Sequence, residues 1–314
     1  NGESNVFLLL TPYSLLRDRR ELLVAQTKTI QRRIRSVSNA KQITKALEVV
    51  AASRMRRVQD AVAQVRKYGQ TAEVIMRGVA GSEEAKHQPF FEPGNSRAKL
   101  YIIITSDRGQ AGAFNSNIFR EALDAFGQDR TSGIKPSVIV FGRKGARFFS
   151  RLSDINLLAE YQDLADFPDI NVFAPVLETI ERGMTSGEFA GVHLIYTEFV
   201  SALGQKAIAF QLLPVDLSAP AEAPEQISKV YEFEPEVNIV VSQALKLYFE
   251  AKLMQARVES AASEHAMRMV AMGNANRNAS DLIDDLTLEL NATRQAAITQ
   301  EIAEITGGAE AMAT

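Results

Sequence analysis

The run Val241-Ser242-Gln243-Ala244-Leu245-Lys246-Leu247-Tyr248-Phe249-Glu250-Ala251-Lys252-Leu253-Met254-Gln255-Ala256-Arg257-Val258 lies within a longer segment, Glu236 to Thr306. That segment contains no proline and one glycine, Gly273. Val237, Val241, Ala244, Tyr248, Ala251, Met254, Val258, Ala261 and His265 recur at spacings of three and four, the signature of one helical face. At about 1.5 Å per residue the segment predicts a single helix on the order of 100 Å long. A globular domain has no use for such a rod, since its helices average roughly a dozen residues. Many stripe residues are small, which permits close helix approach. Beyond Gly273 the poor helix formers Asn274, Asn276, Arg277, Asn278 and Ser280 intervene, and Leu282, Leu286 and Leu290 then restore a stripe.

A second long helical pattern occupies the other end of the chain. Ile30, Ile34, Val37, then Ile43, Leu47, Val50, then Val58, Val62, Val65, and finally Ala72, Ile75, Val79 form a seam with shifts between blocks. The expected helix ends near Gly78 and Gly81. Two rods flanking one domain can pair as an antiparallel coiled coil. Counted from Val24, the C-terminal rod is longer, so its tip should project.

Between the rods, Lys99-Leu100-Tyr101-Ile102-Ile103-Ile104-Thr105 reads as a buried parallel strand and Ser137 to Phe141 as a second. Helices are expected over Asn117 to Phe126, Lys144 to Ser150 and Ala174 to Met184. Gly191 to Phe199 and Gln205 to Leu213 are expected to pair as an antiparallel hairpin around Ala202-Leu203-Gly204. This alternation predicts a small α/β sheet. The expected organisation is an N-terminal extension over 1–23, a coiled-coil helix over 24–80, a linker over 81–97, a Rossmann-like α/β domain over 98–214, a loop over 215–235, the second coiled-coil helix over 236–306 and a tail over 307–314.

The first 23 residues start without methionine, and their apolar patch Val6 to Leu10 is broken by Pro12. The patch is too short for a membrane helix and lacks the leading positive charges of a secretory signal. One expectation is that the natural protein starts at Val24, through a GTG codon, with the preceding residues as upstream read-through. The rival is a genuine extension or part of a targeting peptide.

Composition excludes several functions. The chain has no cysteine, so disulfides, thiolate catalysis and cysteine-bound zinc are impossible. His87, His193 and His265 are far apart, which argues against a histidine metal site. No apolar run approaches the roughly 18 residues of a membrane span. No paired carboxylates, catalytic triad or metal-ligand spacing is present, and no cofactor is expected.

Three motifs stand out. The first rod carries eleven Lys and Arg residues between Lys28 and Lys67 against only Glu48 and Asp60. It could be a solvated coiled-coil face, a nucleic-acid surface or a cationic track for acidic partner surfaces. Nucleic acid is disfavoured, because Tyr68 is the only aromatic on the rod. Ser106-Asp107-Arg108-Gly109-Gln110-Ala111-Gly112-Ala113-Phe114-Asn115 follows the first strand, where α/β folds bind ligands. It matches neither G-x-G-x-x-G nor a P-loop, so a tight turn using Gly109 and Gly112 for backbone geometry is the better reading. The tip, Thr293 to Ile302, alternates polar and small apolar side chains. It is either a frayed helix end or a helix whose whole circumference meets a surrounding partner.

Taken together, these segments resemble one family. Ile34-Arg35-Ser36-Val37 and the run Gln42-Ile43-Thr44-Lys45-Ala46-Leu47-Glu48-Val49-Val50-Ala51-Ala52-Ser53-Arg54-Met55 are similar to the N-terminal helix of the γ subunit of F-type ATP synthase. Ser106-Asp107-Arg108-Gly109 with Gly112 and Asn115 resembles its central-domain turn, and Arg294 to Ile302 its C-terminal signature. The likeness runs from Val24 to Ala311. It implies a rotary shaft that is not itself catalytic, inside a ring of α and β subunits. The α/β domain would sit against the ε subunit and the c-subunit ring, peripheral to the cytoplasmic side of a bacterial inner membrane. It implies that Arg268, Arg294, Gln295, Thr299 and Glu301 touch a β-subunit loop. Lys45 and Leu47 would face the β-subunit lever, with Arg54, Arg56 and Arg57 extending the basic track. The family often has methionine at Leu47, a change that keeps volume. Gln110-Ala111 replaces the family's leucine-cysteine, and the cysteine-bearing insertion of plant chloroplast γ is absent. Outside the resemblance, the alternatives are a coiled-coil scaffold with an α/β head, or a nucleic-acid-binding coiled coil.

Overall fold

In the computed structural model, the backbone is described for residues 12–80, 90–91, 94, 96, 98–215 and 236–313, and side chains from residue 25 to residue 309 of these. The expected linker and acidic loop therefore lie largely outside the described residues. The elements are α1 (Pro12–Ala80), β1 (Ala98–Ile104), α2 (Phe114–Thr131), β2 (Lys135–Phe141), α3 (Arg143–Phe149), β3 (Asn156–Tyr161), α4 (Ala174–Thr185), β4 (Val192–Phe199), β5 (Gln205–Leu213) and α5 (Val237–Ala313). A short 3-10 turn, Ile170–Phe173, leads into α4.

The chain divides into two units. One holds residues up to Leu47 with those from Met272 onward; the other spans Glu48–Ala271. In the first, the outer halves of α1 and α5 form a two-helix coil that buries Ile30, Met272 and Leu286. Two helices cannot enclose a core, so Ile43, Leu282, Leu288 and Ile305 stay exposed. The helix continues back through Pro12 and forward through Gly307 and Gly308 to Ala313. Both ends thus extend past the expected bounds, and the rods are 69 and 77 residues long. Gly307 is open to space on all sides, so the helix loses only propensity there, about 1 kcal/mol relative to Ala.

The second unit is built on a five-stranded mixed sheet in the order β3-β2-β1-β4-β5, with only the β4–β5 hairpin antiparallel. Side chains alternate across it with period two. Leu100, Ile102, Ile104, Ile139, Phe141, Leu194 and Tyr196 face one core. That core is completed by α4 and by the inner ends of α1 (Met76, Val79, Ala80) and α5 (Val241, Leu245, Phe249, Leu253). Tyr101, Ile103, Val138, Val140 and Ile195 face the other, closed by Ile118, Ala122 and Phe126 of α2 and Phe149 of α3. Within this unit α1 and α5 run antiparallel: Arg66 meets Glu259, and Glu73 meets Lys252 further along α1 but earlier on α5.

Strand β3 was not foreseen. Its positions alternate only between exposed and half-buried, it lies at the sheet edge, and Leu157, Leu158 and Ala159 are good helix formers. The step from β2 into α3 is the most constrained point in the sheet. Gly142 has φ of 101°, and a Cβ there would overlap the carbonyl oxygen of Thr105. Gly142→Ala is expected to cost about 3 kcal/mol or more, because the backbone it strikes cannot retreat. A thermal melt of the variant measures this.

Candidate functional site

The turn after β1 is tied down by its own side chains. The Ser106 amide donates to Asn115 Oδ1 at 3.1 Å, Asn115 Nδ2 donates to Ser106 Oγ at 2.8 Å, and Ser106 Oγ donates to the Arg108 carbonyl at 2.6 Å. Asp107 Oδ1 accepts from the Arg143 amide at 3.0 Å, placing a carboxylate at the positive N-terminus of α3. The left-handed positions are Gln110 (φ 65°) and Gly112 (φ 56°). Gly112 is therefore needed as expected. Gly109 is not: a Cβ there would meet only ordinary contact with Lys144, and its carbonyl instead accepts from Arg268 at 3.3 Å.

Open α/β sheets bind ligands where strand order reverses, here between β1 and β4. In this protein α5 fills that crevice. β1 pairs with β4 only as far as Ile103 and Ile195, which leaves the last half of β4 without a strand partner on that side. Buried backbone groups need partners, and α5 supplies them. Ser260 Oγ accepts from the Thr197 amide at 3.3 Å, Glu259 Oε2 from the Phe199 amide at 3.0 Å, and Ser263 Oγ donates to the Thr197 carbonyl at 3.4 Å. Every residue from Ala256 to Ser263 is buried. Small side chains all round the helix make this approach possible.

A polar chain continues along α5. Arg257 donates to the carbonyls of Leu164 and Ala165 at 2.8 and 3.1 Å. His265 Nε2 meets Asp166 Oδ2 at 2.9 Å, and Arg268 Nη1 lies 3.3 Å from His265 Nδ1. Arg268 also donates to Glu264 at 2.5 Å. Burial raises the Asp166 pKa, but the His265 hydrogen bond and the charges of His265, Arg257 and Arg54 outweigh it and hold the carboxyl below its ordinary range.

The residues expected to touch a partner divide accordingly. Arg268 belongs to the sheet-bearing unit, with a side chain only 12% exposed and a guanidinium spent on its own fold. Arg294, Gln295, Thr299 and Glu301 belong to the other unit and are exposed. Lys45, Arg54, Arg56 and Arg57 are exposed on α1, and Leu47 is half-buried. The exposed tip is apolar as well as polar: Leu288 is 70% exposed, Ile302 57% and Ile305 66%. Reasoning from the sequence missed Arg66, Asp166 and Glu259. The available signal was a charged residue inside a run of small ones, Glu259 before Ser260-Ala261-Ala262-Ser263.

A separate buried cluster lies under the other face of the sheet. Lys99 Nζ and Tyr101 Oη both donate to Asp129. His193 stacks on Tyr101, and its Nδ1 is buried with no hydrogen-bond partner among the described residues. Burial, aided by the Lys99 charge and opposed by Asp129, pushes the His193 pKa from 6.5 down to about 4. A lowered folded-state pKa means the unfolded chain binds the proton first as pH falls. Stability is therefore complete above about pH 6.5 and declines toward pH 4, by at most about 1.4 kcal/mol per pH unit for one proton. Denaturant titrations across that window should show the decline reduced in His193→Phe, which keeps the ring stack.

Among the described residues no group of three or more His, Asp or Glu side chains could hold a metal ion. No helix there is long and apolar enough to cross a membrane. What the geometry defines is a coiled-coil protein whose helices pack onto an α/β sheet, with α5 lying in the crevice where such sheets bind ligands. The sequence pattern of the family described as ATP synthase matches residues 26–312. The ATP synthase gamma chain of Pelotomaculum thermopropionicum is 37% identical over 285 residues, covering 91% of this chain and 98% of the relative. That of Legionella pneumophila is 35% identical over 289 residues, covering 92% and 100%. The chain belongs to the ATP synthase gamma chain family. The fold agrees with a chain in the rotor of Euglena gracilis mitochondrial ATP synthase (TM-score 0.63, 19% identity, 87% of this chain and 99% of that one). It agrees also with a chain of the central stalk and c-ring structure from Tetrahymena thermophila (TM-score 0.57, 24% identity, 74% and 99%).

Proposed function

We propose that this chain is the central rotary shaft of a bacterial F-type ATP synthase, coupling proton-driven rotation of a c-subunit ring to ATP synthesis in catalytic β subunits. The observation that carries this reading is the exposed apolar tip of α5. Leu288, Ile298, Ile302 and Ile305 lie on a helix that has no core to enter, and such a surface calls for a surrounding sleeve. Apolar contacts are weak individually and non-directional, so they hold an axle without gripping it at one angle. Arg294, Gln295, Thr299 and Glu301 add angle-dependent hydrogen bonds to a β-subunit loop. Lys45, Leu47, Arg54, Arg56 and Arg57 offer a cationic track to acidic partner surfaces. The α/β unit takes the ε subunit and the c ring, peripheral to the cytoplasmic face of the inner membrane.

The test is purification of the tagged chain from its native membrane. The rotor reading requires α, β, ε and c subunits in one complex, with this chain in single copy. Recovery of the chain without them would favour a free-standing scaffold. Salt-sensitive retention on nucleic acid instead would favour the third reading.

A further inference from the structure

One carboxylate joins the two long helices to the sheet. The Glu259 side chain is 1% exposed. Its Oε1 accepts from Arg66 Nε and Gln255 Nε2, each at 2.9 Å, and its Oε2 from Arg66 Nη2 at 2.7 Å and the Phe199 amide at 3.0 Å. Four donors fill all its lone-pair sites. Arg66 Nη2 also donates to the Phe199 carbonyl at 2.6 Å, so both backbone groups of that residue are held by the ion pair. Phe199 is the last residue of β4 and pairs with Gln205 of β5 on its other side. Its ring packs with Met55, Val58 and Val62 of α1 and with Val258, Ala261 and Ala262 of α5. The other strong pair between the helices, Glu73 with Lys252 at 2.5 Å, makes no hydrogen bond to the sheet among the described residues; Lys252 meets it over the Phe210 ring, 5.1 Å from the centroid.

We infer that Arg66 and Glu259 form the joint through which torque passes between the sheet and the stretches of α1 and α5 packed on it, acting as positioning residues for rotary coupling. This rests on the rotor reading. A load applied to the sheet reaches the helices through apolar packing, which slides, and through directional bonds, which resist. The bidentate guanidinium–carboxylate pair supplies directional bonds where α1, α5 and the end of the β4–β5 hairpin meet. Without it the sheet stays packed on the helices but turns against them more easily. The rotor then twists under load before it drives its partners.

The experiment uses the complete reconstituted complex. The chain has no cysteine, so Ser132→Cys on the exposed end of α2 gives a single attachment point for a probe. Angular fluctuation of the probe is recorded with the catalytic head fixed and ATP withheld, and protons pumped per ATP are recorded against an imposed proton gradient. The variant Arg66→Met, Glu259→Met removes both charges and keeps volume, so folding survives where a single change would strand a buried charge. Mean-square fluctuation varies inversely with stiffness and should rise roughly twofold if about half the resistance is lost. Protons pumped per ATP should fall under load, and unloaded ATP hydrolysis should stay near wild type. Arg66→Lys, which keeps the charge and fewer hydrogen bonds, should be intermediate. Unchanged fluctuation and pumping in the double variant would overturn the inference and leave the pair a packing feature. A wild-type complex whose probe does not turn when ATP is supplied would overturn the rotor reading along with it.

Discussion

Changing Lys45, Arg54, Arg56 and Arg57 together to glutamate should abolish coupled ATP synthesis, whereas Lys45→Ala alone should leave it nearly intact. All four side chains are exposed on α1. An exposed ion pair is worth about 1 kcal/mol or less, so no single contact can be decisive. Reversal replaces each attraction with a repulsion of similar size. Four such changes amount to on the order of 4 kcal/mol, or about a thousandfold in an association constant. Arg54 also acts on Asp166 within the sheet-bearing unit, so its reversal disturbs the fold as well as the track. The triple variant at Lys45, Arg56 and Arg57 removes that ambiguity. Membrane-vesicle assays of ATP synthesis and ATP-driven proton pumping read the effect, and normal pumping by the triple variant would reduce the track to a solvated helix face.

An equally large effect is expected at the other helix. Ile298→Asp, Ile302→Asp and Ile305→Asp place three carboxylates on the tip surface that the rotor reading encloses. Each desolvated, unpaired charge costs several kcal/mol, so the complex should fail to assemble, with the isolated chain folding normally because these positions are 46%, 57% and 66% exposed. The milder pair Gln295→Leu and Thr299→Val removes hydrogen-bonding groups and leaves shape. It should lower steady-state ATP turnover while assembly survives. Native gels of the assembled complex and ATPase assays distinguish the two outcomes. Full assembly of the triple aspartate variant would mean that no sleeve surrounds the tip.

The rods and the sheet were legible because their signals are local. A three-and-four stripe without proline, as from Val241 to Val258, admits little besides helix. The β-branched run ending at Ile104 admits little besides a buried strand. The hairpin from Val192 to Leu213 followed from two apolar runs around Ala202-Leu203-Gly204. Strand β3 was not legible, because an edge strand needs only one good face and its residues favour helix. The candidate site was legible unevenly. Tip and track residues are expected from family motifs, and their side chains are exposed apart from the half-buried Leu47. Arg268 carried the same motif credentials, yet its guanidinium is bound to Glu264 and the Gly109 carbonyl, a tertiary outcome that spacing along α5 cannot reveal. The Arg66–Glu259 joint was invisible for the same reason: its partners are 193 residues apart in sequence.

The most direct test of the account is rotation itself. A probe attached through Ser132→Cys is followed in the reconstituted complex with the α and β subunits fixed to a surface and ATP supplied. The probe should turn stepwise in one direction and stop when ATP is withdrawn. A probe that stays at one angle while the same complex hydrolyses ATP at its full rate would contradict the rotor reading.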